Sequence, residues 1–162
     1  MAAVDYFLKI GDIDGESADS KYSKNIEIES FSWGANQTGS SSHGGGAGAG
    51  KVSMQDLHFV MKINKASPKL FLACASGQHI PKAVLVARKA GGQQEDYLKF
   101  TLTDVLVSSY QSGGSAHSDV VPTDQVSLNF SKLEMEYKEQ TAKGTLAGTV
   151  KAGWDIKTNK KV

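Results

Sequence analysis

Residues 97–103, YLKFTLT, alternate strictly. Leu98, Phe100 and Leu102 fall on one side; Tyr97, Lys99, Thr101 and Thr103 fall on the other. Successive side chains of an extended chain point to opposite faces, so this stretch predicts a strand with one face in a core and one outside. The same period runs through residues 126–137, VSLNFSKLEMEY, with a slip. Val126, Leu128 and Phe130 keep one phase, and Leu133, Met135 and Tyr137 take the other. One extra residue near Ser131–Lys132 restores the phase, which predicts a β-bulge there. Residues 25–33, NIEIESFSW, slip in the same way between Ile28 and Phe31. Further strands are predicted at Tyr6–Ile10, Val52–Ile63, Ala83–Arg88 and Val150–Lys157, with turns at Gly91–Gly92 and Gly113–Gly114.

One segment breaks this period. In residues 64–78, NKASPKLFLACASGQ, Ser67 suits an N-cap, Pro68 the first helical position and Gly77 a left-handed stop. Leu70, Phe71, Cys74 and Ala75 form the predicted apolar stripe. The sum is a mainly β protein: an antiparallel β-barrel of about seven strands, one short α-helix packed on its side, and a long Gly/Ser loop. Residues 1–162 are expected to form a single domain.

The composition narrows the function classes. Eighteen Lys and Arg against 17 Asp and Glu, mixed along the chain, leave no basic block for nucleic acid and no polybasic helix for a membrane. Cys74 is the only cysteine, so no intramolecular disulfide or cysteine-based metal site can form. The opening MAAVDYFLKIGD lacks the charge and apolar pattern of a signal peptide.

Six of the 17 glycines lie between Gly39 and Gly50. Gly45, Gly50 and Lys51 have the spacing of a phosphate loop, but Val52 stands where a hydroxyl should hold magnesium. A strand pattern comes next, where the motif needs a helix. His43, His58, His79 and His117 are scattered without ligand spacing. Cys74 reads as a small buried hydrophobe. Glu27 with Glu29, and Glu134 with Glu136, imitate a glycosidase pair, yet each pair sits on one strand among lysines and reads as a solvated face. No catalytic, cofactor or metal residue is assigned.

In order along the chain come DYFLKIGDIDGES (5–17), SFSWG (30–34), SPKL (67–70), CASGQH (74–79), AVLVARKAGG (83–92), YLKFTLTDVLVSSY (97–110), DQVSLNFSKLEMEY (124–137) and GWDIKTNK (153–160). As an ordered set these resemble Hcp, the haemolysin-coregulated protein family of bacterial type VI secretion, over essentially the whole chain. The resemblance implies a structural protein and not an enzyme. Its homohexameric rings would stack into a tube inside a contractile sheath, on a baseplate and under a spike protein, and hold effector proteins in the lumen. It implies assembly in the cytoplasm and then secretion, without a signal peptide, to the extracellular space or a target cell. No cofactor, nucleic acid or membrane insertion is implied.

By the same resemblance the long loop reaches a neighbouring ring. The inter-ring candidates are Gly39, Ser40, Ser41, Ser42, His43, Gly44, Gly45, Gly46, Ala47, Gly48, Ala49, Gly50 and Lys51. If Phe31 and Trp33 face the barrel core, Ser30 and Ser32 face the other way, and they are the candidate lumen and effector contacts. The alternative is a non-catalytic β-barrel that binds a small molecule or glycan, with Trp33 and Trp154 as its aromatics.

Overall fold

The structure is a computed structural model and describes residues 4–39, 49–89, 95–140 and 146–162. Its elements are, in chain order, β1 (Val4–Ile10), β2 (Ile26–Ile28), β3 (Ser30–Ser32), β4 (Ala35–Gly39), β5 (Ala49–Met54), β6 (Leu57–Lys62), α1 (Ser67–Ser76), β7 (His79–Lys89), β8 (Asp96–Gly113), β9 (Thr123–Asn129), β10 (Lys132–Gln140), β11 (Leu146–Asp155) and β12 (Lys160–Lys161). All strand pairings among the described residues are antiparallel. The mainly β fold with one short helix is as expected. Three of the seven expected runs are each divided in two, and β4 and β12 are additional. The expected turn at Gly91–Gly92 lies outside the described residues.

The divisions have a common physical cause. The phase slip in residues 126–137 is not a bulge within one strand. It is a corner at Phe130–Ser131, where the chain changes neighbours within one sheet: β9 pairs with β6 and β8, while β10 pairs with β8 and β11. The slip in residues 25–33 is a second corner, at Glu29. There β2 pairs with β1 (Tyr6↔Ile28) and β3 pairs with β6 (Ser30↔Val60). A chain that turns a corner between neighbours must reset which side faces the core, and a slip of one residue does so.

The long strand β8 links both corners. Its first half pairs with β10 from Leu98 to Thr103, and its second half pairs with β9 from Leu106 to Gly113. Between them Asp104 takes φ 55, left-handed for a non-glycine residue. Phe100 and Leu102 are buried on one phase, Val105 and Val107 on the next. The ladder β1–β7–β8–β9–β6–β3 is carried back to β1 by the covalent continuity of β3 with β2. Inside it lie Leu8, Ile10, Leu57, Phe59, Leu85, Val126 and Leu128, each at most 2% exposed.

The helix differs from expectation at its start. Its N-cap is Ala66, and Ser67 is its first residue. Asn64 supplies the cap-like contact instead, its Oδ1 accepting the Ala66 N–H at 2.8 Å. The Ser67 hydroxyl is buried and donates to Asp124 Oδ2 at 2.5 Å, fastening the helix to β9. Gly77 closes the helix at φ 66, as expected. The inward residues are Ser67, Leu70 and Ala73, with Cys74 half-buried; Phe71 is 58% exposed and Ala75 is exposed. The stripe therefore runs at i, i+3, i+6 and i+7, because the Ser67 contact sets the helix rotation.

Residues 11–25 fold back over the outer face of β1. Gly15 permits this, since a Cβ there would meet the Asn25 carbonyl at 2.5 Å. Arg88, 3% exposed, holds the segment by a two-point pair with Asp19, Nη2 to Oδ2 at 2.5 Å and Nη1 to Oδ1 at 3.1 Å. The guanidinium also lies over the Phe7 ring at 4.7 Å, and Phe7 stacks on Tyr22. The Arg88 hydrogen bond holds the Asp19 carboxyl well below its ordinary value of 3.8. Replacing Asp19 by Asn leaves the buried Arg88 guanidinium with only its longer contact to Asp5, at 3.8 Å, and should cost about 3 kcal/mol, read from urea unfolding at neutral pH. Because the carboxyl's folded-state pKa lies below its unfolded one, its stabilisation is complete above the ordinary value and fades as pH falls below it. The parent should therefore lose stability more steeply than Asp19→Asn below about pH 4.

Candidate functional site

Three surfaces carry chemistry that the core does not use. The first is the arm. Ala35–Gly39 and Ala49–Met54 pair as a separate two-stranded ribbon, with Ala35↔Met54, Asn36↔Ser53, Gln37↔Val52 and Gly39↔Ala49. At its base the Gln55 N–H donates to the Gly34 carbonyl at 2.8 Å. This corrects the loop reading for four candidates: Gly39, Ala49, Gly50 and Lys51 are strand residues. Gln37 and Val52 flank the glycines and supply the paired backbone that holds them in register. Ser40, Ser41, Ser42, His43, Gly44, Gly45, Gly46, Ala47 and Gly48 lie outside the described residues. Lys51 is exposed on β5, in strand and not at a helix start, which removes the context a phosphate loop needs.

The second surface is the outside of β3, β6, β9 and the far half of β8. Phe31 and Trp33 turn inward, each edge-on to Phe100 at 5.5 and 5.7 Å, and Phe31 also meets Tyr6 at 5.3 Å. Ser30 and Ser32 are exposed on the opposite side, as the alternation requires. The ladders place Ser32 beside His58 and His58 beside Ser127, with His58 Nδ1 3.0 Å from Ser127 Oγ. The next row is Ser30, Val60 and Gln125. These two rows carry no carboxylate or ammonium. At the arm end, Asp56 accepts from Ser108 Oγ at 2.6 Å and Asn129 Nδ2 at 3.0 Å.

The third surface had no assignment from sequence. The core face of β8 continues across β10 and β11 in three rows: Leu102–Leu133–Trp154, Phe100–Met135–Ala152 and Leu98–Tyr137–Val150. Burial falls along it, from Leu133 at 4% to Met135 at 38%, Tyr137 at 44% and Val150 at 69% exposed. The alternation of Leu133, Met135 and Tyr137 signals a buried face, but among the described residues nothing packs over its outer end.

The carboxylate pairs take ordinary roles. Glu136 lies 3.7 Å from Lys151 across the β10–β11 ladder. Glu27 and Glu29 are exposed and flank a cleft at the Glu29 corner. At the bend, the Asp104 carboxyl is held below its ordinary value by hydrogen bonds from Lys157 Nζ at 2.6 Å and His79 Nδ1 at 3.1 Å. Among the described residues no three His, Cys, Asp or Glu side chains come together as a metal site.

A family model described as "Type VI secretion system effector, Hcp" matches residues 7–137. Protein hcp1 of Pseudomonas aeruginosa is 49% identical to this chain over 159 residues, covering 97% of this chain and 98% of that protein. The crystal structure of Hcp1 from Salmonella typhimurium is 42% identical, with a TM-score of 0.81 over 99% of this chain and 100% of that one. A structure described as that of a type six secretion system protein reaches a TM-score of 0.93 at 32% identity, with the same coverage.

An arm that pairs only with itself contributes little to the core. Replacing Ser40–Ala49 by a two-residue Gly-Ser link should leave the midpoint of thermal unfolding within a few degrees of the parent's, since loop shortening changes closure entropy by about 1 kcal/mol. A far lower midpoint by calorimetry would make the arm part of the folding unit.

Proposed function

The chain belongs to the Hcp family of the type VI secretion system, a structural family and not an enzymatic one, and we propose that its copies close into six-membered rings through the uncovered face of β8, β10 and β11. The observation that carries this is the apolar row Leu98–Tyr137–Val150, open to solvent at its outer end. Burying one large apolar side chain is worth roughly 1.5–3 kcal/mol, and such a face on a soluble protein marks an interaction site. A closed ring uses two different surfaces of each copy head to tail, and this face is one of them.

In this reading the rings stack through the arm formed by β4 and β5, inside a contractile sheath, on a baseplate and beneath a spike. Ser30 and Ser32 line the central hole. Small hydroxyls leave room there and offer hydrogen bonds to an effector without a strong field of one sign. The tube is assembled in the cytoplasm and delivered outside the cell, or into a target cell, without a cleaved leader.

Light scattering of the purified protein should give the mass of six chains. A monomer at tens of micromolar (roughly the range where a micromolar contact is populated) removes the ring reading. The paired change Tyr137→Lys and Val150→Lys should yield a folded monomer, because both side chains are already exposed. Ser32→Gln should leave the ring intact and lower co-purification of a ring-bound effector. Equal recovery takes Ser32 off the cargo surface, and loss of the ring moves it to the subunit contact.

A further inference from the structure

The corner at Glu29 forms one wall of a cleft of about 290 Å³. Glu27 and Glu29 come from the corner, Glu16 and Ser17 from the segment stapled by Arg88, and Lys62 and Ile63 from the end of β6 and the residue beyond it. Ile28 and the 42% exposed Ile63 give it an apolar component. Three carboxylates face one ammonium. Among the described residues none of these three carboxylates forms an ion pair. The cleft is therefore a shaped recess with unspent negative charge.

The arm has the opposite character. From Ala35 to Met54 the sequence contains no Asp, Glu or Arg and one Lys, Lys51. Lys51 is exposed and, among the described residues, has no ion-pair partner.

Arm and cleft lie at opposite ends of one strand pair. In the register Ser30↔Val60, Ser32↔His58, the arm departs from the end at Ser32 and Leu57, while the cleft lies at the end at Glu29 and Lys62. The six residues of β6 hold these ends roughly 20 Å apart, at about 3.3 Å per residue. Two different complementary surfaces at opposite ends of a subunit are what head-to-tail stacking needs.

We infer that this cleft is the receptor for the arm of a second copy of the chain, with that copy's Lys51 seated among Glu16, Glu27 and Glu29. The inference rests on the reading of the arm as the contact between stacked rings and names its partner surface. Exposed Lys–Glu pairs add little each, but charge complementarity sets register and excludes wrong partners. Ile28 and Ile63 supply apolar contact beneath the charges.

The test uses the full chain with Cys74→Ala and Ser53→Cys, Lys51 being kept, labelled at the exposed position 53 with a benzophenone maleimide and illuminated. An intermolecular product is expected, mapping by mass spectrometry to residues 16–17, 27–29 or 62–64. Adding Glu27→Lys and Glu29→Lys, both at exposed positions, should lower its yield at least about tenfold, as juxtaposed like charges do. A product mapping elsewhere on the second copy overturns the cleft and leaves the arm reading standing. Undiminished yield in the lysine variant also overturns the cleft. No intermolecular product overturns the cleft and the arm reading together.

Discussion

The bend of β8 at Asp104 is the constraint on which the architecture depends. One strand of eighteen residues serves a wrapped wall and an open sheet, and a straight strand cannot do both. The left-handed φ of 55 at Asp104 rotates the strand so that Leu102 and Val105 both face inward. Asp tolerates that conformation better than most residues. Its carboxylate then ties the bend to β7 through His79 and to the segment after β11 through Lys157. The backbone repeats the tie, for the Ser131 N–H donates to the Thr103 carbonyl and the Ile156 N–H to the Ser131 carbonyl. Bend, corner and last long strand thus form one hydrogen-bonded node.

The bend divides the labour of the sheet. On the far side of Asp104 the sheet wraps and buries its apolar residues in the molecule's own core. On the near side it runs out over β10 and β11, and the same apolar face is left for something else to cover. The strand that shapes the monomer thus also presents an uncovered apolar face. The Arg88–Asp19 staple plays the matching part at the other end. It fixes the segment that carries Glu16 and Ser17 against β1, so the cleft keeps its shape without a partner.

Much of this was legible in the sequence. Alternation at Leu98, Phe100 and Leu102 gives the strand and its inward face, and Phe31 and Trp33 correctly turn Ser30 and Ser32 outward. Both phase slips were visible, but a slip alone does not distinguish a bulge from a corner; pairing partners decide that, and pairing is long-range. A third slip, between Leu102 and Val105, was equally visible and marks the bend. The helix stop at Gly77 came from local chemistry. The start did not, because the Ser67 hydroxyl is spent on Asp124, 57 residues away. Glycine content hid the arm, since Asn36, Gln37 and Ser53 carry no strand period of their own. The cleft was invisible because its walls come from three separated segments.

A chain that stacks on its own copies must also refuse the wrong stack. An unpaired sheet edge is a template for indiscriminate strand addition and, at the extreme, for fibres. Here the outermost strand beyond β11 is only Lys160–Lys161, two residues long and both exposed. Their ammonium groups repel a second copy arriving edge-on at Trp154 and Asp155, the two β11 residues that this strand covers. At that end of the sheet strand addition is disfavoured, and contacts with another copy are left to side chains.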